Sequence, residues 1–279
     1  MEWLTNPDRR IPIGGWAKSF FTWLTTNFTG FFDQVSAILA GVVNAILWVL
    51  QTPHPLIVVA IVTALSYWFR RSVGVTLFTL FGLLLIINLG YWKATTETLA
   101  LVLAASFVSM AVGIPLGIAA ARRAWVYAVM RPILDLMQTI PTFVYLIPAL
   151  VLFGLGMVPG LIATVIFVLP APIRMTHLGI SSTPPALVEA VEAFGGTSQQ
   201  KLWKVELPYA MPQIMAGLNQ TIMLSLSMVV VAALVGADGL GVPVVRALNS
   251  VNTALGFESG FIIVVVAIIL DRMLRIKQR

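Results

Sequence analysis

The chain has 279 residues, of which 59% are hydrophobic and only 10% charged, against about 25% charged in ordinary globular proteins. A soluble fold of this size could not cover so much apolar surface, so part of it must meet lipid. The net charge of +6 does not mark a nucleic-acid binder, and the absence of cysteine excludes disulfides, thiolate metal sites and cysteine nucleophiles.

The placement of the cations carries the first of these exclusions. Arg70 and Arg71, Arg122 and Arg123, and the Arg272–Arg279 tail all close apolar runs, where positive charge sets topology and meets the anionic inner leaflet. Residues 1–27 do not read as a cleavable signal peptide: Pro7, Asp8 and Pro12 interrupt them and no compact apolar core is present.

In chain order, Phe31–Leu50 is the first helical pattern. Gln34, Ala37, Gly41, Asn44, Trp48 and Gln51 form a small or polar face opposite Val35, Ile38, Leu39, Val42, Ile46 and Val49. The pattern suits a helix lying in the membrane interface, the favoured reading, and also a span whose weaker face packs on neighbours. The interfacial alternative leaves the N-terminus outside. The spanning one places Arg9, Arg10 and Lys18 inside, as the charge rule mildly prefers.

A span needs about 20 mostly apolar residues. Seven runs qualify or nearly so: Leu56–Phe69, Val73–Tyr91, Thr98–Ala121, Phe143–Val158, Leu161–Ile180, Met211–Val235 and Phe261–Leu274. The first is short, but Arg70 and Arg71 can snorkel to the interface. Arg70, Arg71, Arg122, Arg123, Arg131, the Arg174–Lys204 stretch and the tail then lie inside. The turns Gln51–Pro55, Tyr91–Glu97 and Met157–Gly160 and the loop Ala237–Glu258 lie outside. The chain divides into a tail and amphipathic helix (1–52), peripheral membrane helices (53–93) and a transmembrane domain (94–275) with a cytoplasmic loop at 181–210.

That loop is the one polar island. Thr183 is placed to cap a helix with Pro184 at its first position, running Ala186–Phe194. Leu187, Val191 and Phe194 share one face, with Glu189 and Glu192 toward the other side. Gly195 and Gly196 supply a left-handed stop. Thr197-Ser-Gln-Gln200 has the form of a capping box opening a second short helix through Val205, and Pro208 and Pro212 frame the start of the next span. An exposed apolar stripe on a polar loop needs a partner, and a helix seated in another protein's groove would provide one.

The spacing inside the loop resembles the cytoplasmic signature of ABC import permeases. That signature is Glu-Ala-Ala, three residues, Gly, nine residues, Ile, one residue, Leu-Pro. Here Glu189-Ala190-Val191, Gly195, Val205 and Leu207-Pro208 fit every interval, with Val191 and Val205 as apolar replacements. The runs ETLALVLAASFVSMAVGIPLGIAAAR, RPILDLMQTIPTFVYLIPALVLFGLG and MAGLNQTIMLSLSMVVVAALVGADGLG are similar to permeases for quaternary ammonium osmolytes, namely glycine betaine, proline betaine and choline. Relatives carrying amino acids or sulfonates share the signature.

The resemblance implies an all-α type I ABC importer transmembrane domain in a bacterial inner membrane, paired with a second copy around a central pathway. It implies two ATPase subunits that bind ATP and Mg, and an extracytoplasmic substrate-binding protein. Glu189, Ala190, Val191, Phe194, Gly195, Val205, Leu207 and Pro208 would then form the ATPase-coupling element. The chain itself would hold no cofactor and no catalytic site.

The remaining candidates are weaker. Gln138, Thr139, Pro141, Phe143 and Tyr145 precede or enter an apolar span, and Asn219, Gln220 and Ser225 are polar groups within one; lining a pathway is one reading, capping and helix packing the other. Gly113 and Gly117 have the spacing for close helix contact. Gly236–Gly241 resembles a nucleotide loop but lacks its strand–turn–helix context. His54 and His177 are isolated in sequence, without metal-ligand spacing. Asp33, Asp135, Asp238, Glu258 and Asp271 sit near span ends, which argues against a self-sufficient proton-coupled transporter.

Overall fold

The computed structural model describes residues 12–274, which are helical throughout with no strand among them. Pro7, Asp8, Arg9, Arg10 and the basic residues beyond Leu274 lie outside the described residues.

Helix α1 (Ile13–Asn27) is followed by α2 (Thr29–Gln51), a continuous helix of 23 residues, long and apolar enough to cross a bilayer. Its polar face stays exposed at Gln34, Asn44 and Trp48, while Val43 enters the core beside Leu39, Val42 and Ile46. Phe32 meets Phe153 edge-on at 5.4 Å, and Gln51 Nε2 donates to Thr96 Oγ1 at 2.8 Å.

Helices α3 (Pro55–Arg70) and α4 (Val73–Asn88) form an antiparallel hairpin around Arg71, whose φ of 47° closes the turn. At 16 residues each they are about 24 Å long, shorter than the hydrocarbon core. His54 Nδ1 accepts from Leu56 N and so caps α3.

Three long helices make the centre: α5 (Trp92–Arg122), the pair α8 (Met157–Val168) and α9 (Pro170–Ser181), and α12 (Leu207–Ala233). Glycines set their spacing. A Cβ on Gly113 would lie 2.7 Å from Pro172, one on Gly117 2.6 Å from Thr176, and one on Gly217 2.9 Å from Met175. Small residues therefore let these backbones approach where lipid gives helices no hydrophobic drive to associate.

The seven expected runs fall mainly on helices, but they are not seven straight spans. Five helices are long and apolar enough to cross: α2, α5, α8–α9 (Met157–Ser181), α12 with its N-terminal extension (Ser198–Ala233), and α14 (Thr253–Leu274). A sixth would be the pair formed by α6 (Ala124–Thr139) and the stretch Thr142–Phe153, which includes α7 (Leu146–Phe153), bent by 105°. Ile140 and Pro141, both extended, make that elbow, since a residue before proline is pushed out of the helical region. The run read as Phe143–Val158 thus covers the second arm of a broken segment and, past Gly154–Gly156, the start of α8. In the outer loop, Gly239 lies against Thr98, whose Oγ1 accepts from Leu240 N at 2.8 Å, before the short helix α13 (Gly241–Asn249).

Candidate functional site

The loop between α9 and α12 begins with α10 (Pro185–Ala193), which buries none of its residues. Leu187 is exposed and Phe194 is 93% exposed. The cap falls one residue later than expected, at Pro184, with no side-chain cap, and the helix runs Pro185–Ala193. Thr183 does not cap it; its hydroxyl is buried without a partner among the described residues. Prolines at Pro184 and Pro185 preset the backbone, so a side-chain cap is not required.

The stop after α10 depends on both glycines for different reasons. Gly195 has φ +74°, the left-handed conformation. Gly196 lies so close to Val191 that a Cβ would come within 2.4 Å of the Val191 side chain and 2.8 Å of its carbonyl oxygen. Val191 is therefore spent on holding the turn, while Leu187, Glu189 and Ala190 of α10 and Phe194 just after it stay exposed.

Helix α11 (Ser198–Lys201) opens with the expected capping box: Gln200 N donates to Thr197 Oγ1, and Thr197 N to Gln200 Oε1 at 2.8 Å. The stretch after it differs from expectation. Instead of a separate helix ending near Val205, α11 passes through a π-helical stretch (Leu202–Glu206) directly into α12. The π stretch precedes Pro208, whose missing N–H cannot serve the Lys204 carbonyl, and the wider turn absorbs that loss. Val205, Leu207 and Pro208 therefore belong to one rod that runs from the loop into the membrane. Its base is fixed: Leu202 packs with Ile180, Ala210 and Ile214, Arg122 donates to the Ser198 carbonyl, and Lys201 pairs with Glu192 at 2.9 Å.

A second feature lies beside the rod. Helix α9 turns Pro172 and Thr176 to α5, Met175 and Gly179 to α12, and His177 to α6, where it stacks on Tyr127 at 3.8 Å. Arg174 and the exposed Leu178 are left facing the gap between α12 and α6. Arg174 donates to Asp135 and, at 2.9 Å, to Gln138 Oε1 on the elbow. The α12 side of the gap carries exposed Gln213, Ala216, Gln220 and Ser227, at spacings of three to seven residues that share one helical face. Toward the other end of the bundle the gap closes, where Tyr145, Leu146 and Ala149 pack with Ala163, Met228 and Val235.

Comparison with known proteins places these two features in a family. Residues 113–279 match the family described as binding-protein-dependent transport system inner membrane component. The glycine betaine transport system permease protein OpuAB of Bacillus subtilis is 50% identical over 264 residues, covering 95% of this chain and 93% of that one. This chain belongs to that permease family. The glycine betaine/carnitine permease GbuB of Listeria monocytogenes is 46% identical, over 94% of each chain. The glycine betaine/proline betaine permease ProW of Escherichia coli is 44% identical, over 94% of this chain and 74% of its own. Among solved structures, an inward-facing form of the MetNI methionine ABC transporter shares the fold, with a TM-score of 0.60 at 22% identity over 66% of this chain and 94% of that one. The chain is thus an inner-membrane transport subunit and not an enzyme.

Within this permease, Gln138, Thr139, Pro141, Phe143 and Gln220 are exposed, and Gln138, which receives Arg174, borders the gap together with Gln220. Tyr145 and Ser225 are not on an open surface. Tyr145 is 8% exposed and its hydroxyl donates to the Met137 carbonyl at 2.6 Å, bracing the elbow; Ser225 is buried and donates back to Thr221 O. Asn219 turns away from the gap and donates to Asp271 of α14 at 3.2 Å. Arg174 and Gln213 were missed as site residues. Arg174 lies seven residues before the end of the Met157–Ser181 helix, about 10 Å short of it; an arginine inside an apolar run is the signal that could have found it.

Proposed function

We propose that this chain is the membrane-spanning subunit of an ATP-driven importer for quaternary ammonium osmolytes such as glycine betaine, proline betaine or choline, working as a homodimer. Two ATPase subunits, which bind the ATP and Mg, each receive one loop through Leu187, Glu189, Ala190 and Phe194. An extracytoplasmic binding protein meets the opposite end of the bundle and supplies most of the substrate selectivity, since the quaternary cation suits an aromatic cage.

The observation that carries this reading is the unbroken helical path from Thr197 through the π stretch into α12, next to a helix with no buried residue of its own. Closure of the ATPases draws the two loops together. Because α11 and α12 are one body, the displacement at Leu202 reaches the polar face at Gln213 and Gln220 without loss in a flexible joint. ATP shifts the balance between inward- and outward-open states only to the extent that the ATPases bind the two arrangements differently. The substrate class rests on the three relatives that match nearly the whole chain.

The test is reconstitution into proteoliposomes. ATP-dependent glycine betaine uptake requiring the ATPase and the binding protein is expected, with none from this chain alone. Uptake by the chain alone, driven by an ion gradient, would overturn the reading in favour of a secondary transporter.

A further inference from the structure

The gap beside α9 holds an ion pair that takes no part in fixing the coupling loop. Arg174 and Asp135 belong to different elements, α9 and the elbow helix α6, and their side chains retain 33% and 55% exposure. Gln138 Oε1 accepts a second hydrogen bond from the same guanidinium, so the fork stays oriented even when one partner is exchanged. Ala216 stands on the facing wall at this level, because its neighbour Gly217 abuts Met175.

We propose that this pair is a transient docking site for zwitterionic solutes within the membrane pathway, Arg174 receiving the carboxylate and Asp135 the cationic end. The inference rests on the transport reading above and adds a selectivity that the binding protein does not supply. A zwitterion replaces both partners of the pair together, so neither charge is left alone at any stage. A simple cation can engage only Asp135, which strips Arg174 of its counter-ion and sets a second positive charge beside it. In a pair this exposed, removing one partner costs only modestly more than exchanging both, which is enough to discriminate at a site of transient contact. The planar guanidinium also matches a carboxylate in two-point geometry. Half-exposure keeps the attraction modest, as a site that must release its solute requires. The permease therefore favours betaines over choline independently of its partner.

The chain has no cysteine, which allows a direct test. The Ala216→Cys variant is assembled with its ATPase in nanodiscs without nucleotide or binding protein, and the rate of thiol modification is followed. Glycine betaine in excess is expected to slow modification about threefold, as for a millimolar site, and choline at equal ionic strength to leave it unchanged. Adding Arg174→Gln should remove the protection; Arg174→Lys should retain part of it. Protection by choline equal to that by glycine betaine, protection that survives Arg174→Gln, or no protection by glycine betaine overturns the site. ATP-driven glycine betaine uptake by the unaltered importer, measured in parallel, separates the two readings. Uptake without Arg174-dependent protection removes the docking site alone; absence of uptake removes the osmolyte reading itself.

Discussion

Helices α12 and α14 are both long enough to cross a membrane, yet along their middle stretches they leave opposite kinds of residue uncovered. Between Ser259 and Asp271 of α14 the exposed positions are Phe261, Val264 and Ile268; from Gln213 onward on α12 they are Gln213, Ala216, Gln220 and Ser227. A lone chain shows both faces bare. Chemistry separates them: apolar side chains are at ease in hydrocarbon, whereas a carboxamide at membrane depth needs water or a protein partner. The α14 face therefore suits lipid, and the α12 face suits a wet pathway or a protein partner.

The largest effect should come from the glycines at the two ends of this contrast. Gly196→Val forces a side chain against the Val191 carbonyl and should abolish ATP-driven uptake while the protein still inserts. Gly260→Val on α14, where nothing lies within 4 Å, should leave uptake near normal. Uptake assays with membrane fractionation read both, and equal losses would erase the distinction. Next come charges. Val264→Arg, near the middle of α14, should destabilise the inserted fold by about 3 kcal/mol, seen as lost folded yield. Gln220→Arg should cost less than about 1 kcal/mol and alter transport instead. Equal cost at the two sites would mean that both faces meet lipid.

Smaller effects test what joins the helices. Asn219→Leu deprives the buried Asp271 of a donor and should lower stability by about 1–2 kcal/mol, measured by thermal unfolding in detergent, with the transport rate per folded molecule kept. A transport loss larger than the stability loss would return Asn219 to the pathway. Smallest is Thr197→Ala, which breaks the capping box and should cost about 1 kcal/mol, loosening the rod at its loop end and reducing coupling only partly.

The turns and caps of the 181–210 loop were legible because their signals are local. Glu189, Gly195, Leu207 and Pro208 lie at fixed intervals in one stretch, and glycine and proline restrict the backbone wherever they stand. The elbow was not legible. Phe143–Val158 has the composition of a straight span, and the bend at Ile140–Pro141 is stabilised by Tyr145 reaching back to Met137, a contact that composition does not encode. Arg174 was counted among the cytoplasmic charges because the positive-inside rule works on loops; α9 carries it into the helical span. The choice between the two readings of Asn219 was hidden for a related reason: its partner Asp271 is 52 residues away, and only packing brings them together. The continuity of α11 with α12 was hidden by Pro208 and Pro212, which ordinarily signal a break and here come after a π stretch that accommodates the first of them.

The central claim is that the bare helix before Gly195 seats in a nucleotide-driven partner. Disulfide trapping tests it most directly, in a chain with no cysteine of its own. Phe194→Cys, paired with single cysteines along the ATPase cleft, should form an intersubunit bond in the assembled complex, and Leu248→Cys at the opposite end of the bundle should form none. Trapping at Leu248 and not at Phe194 would contradict the account.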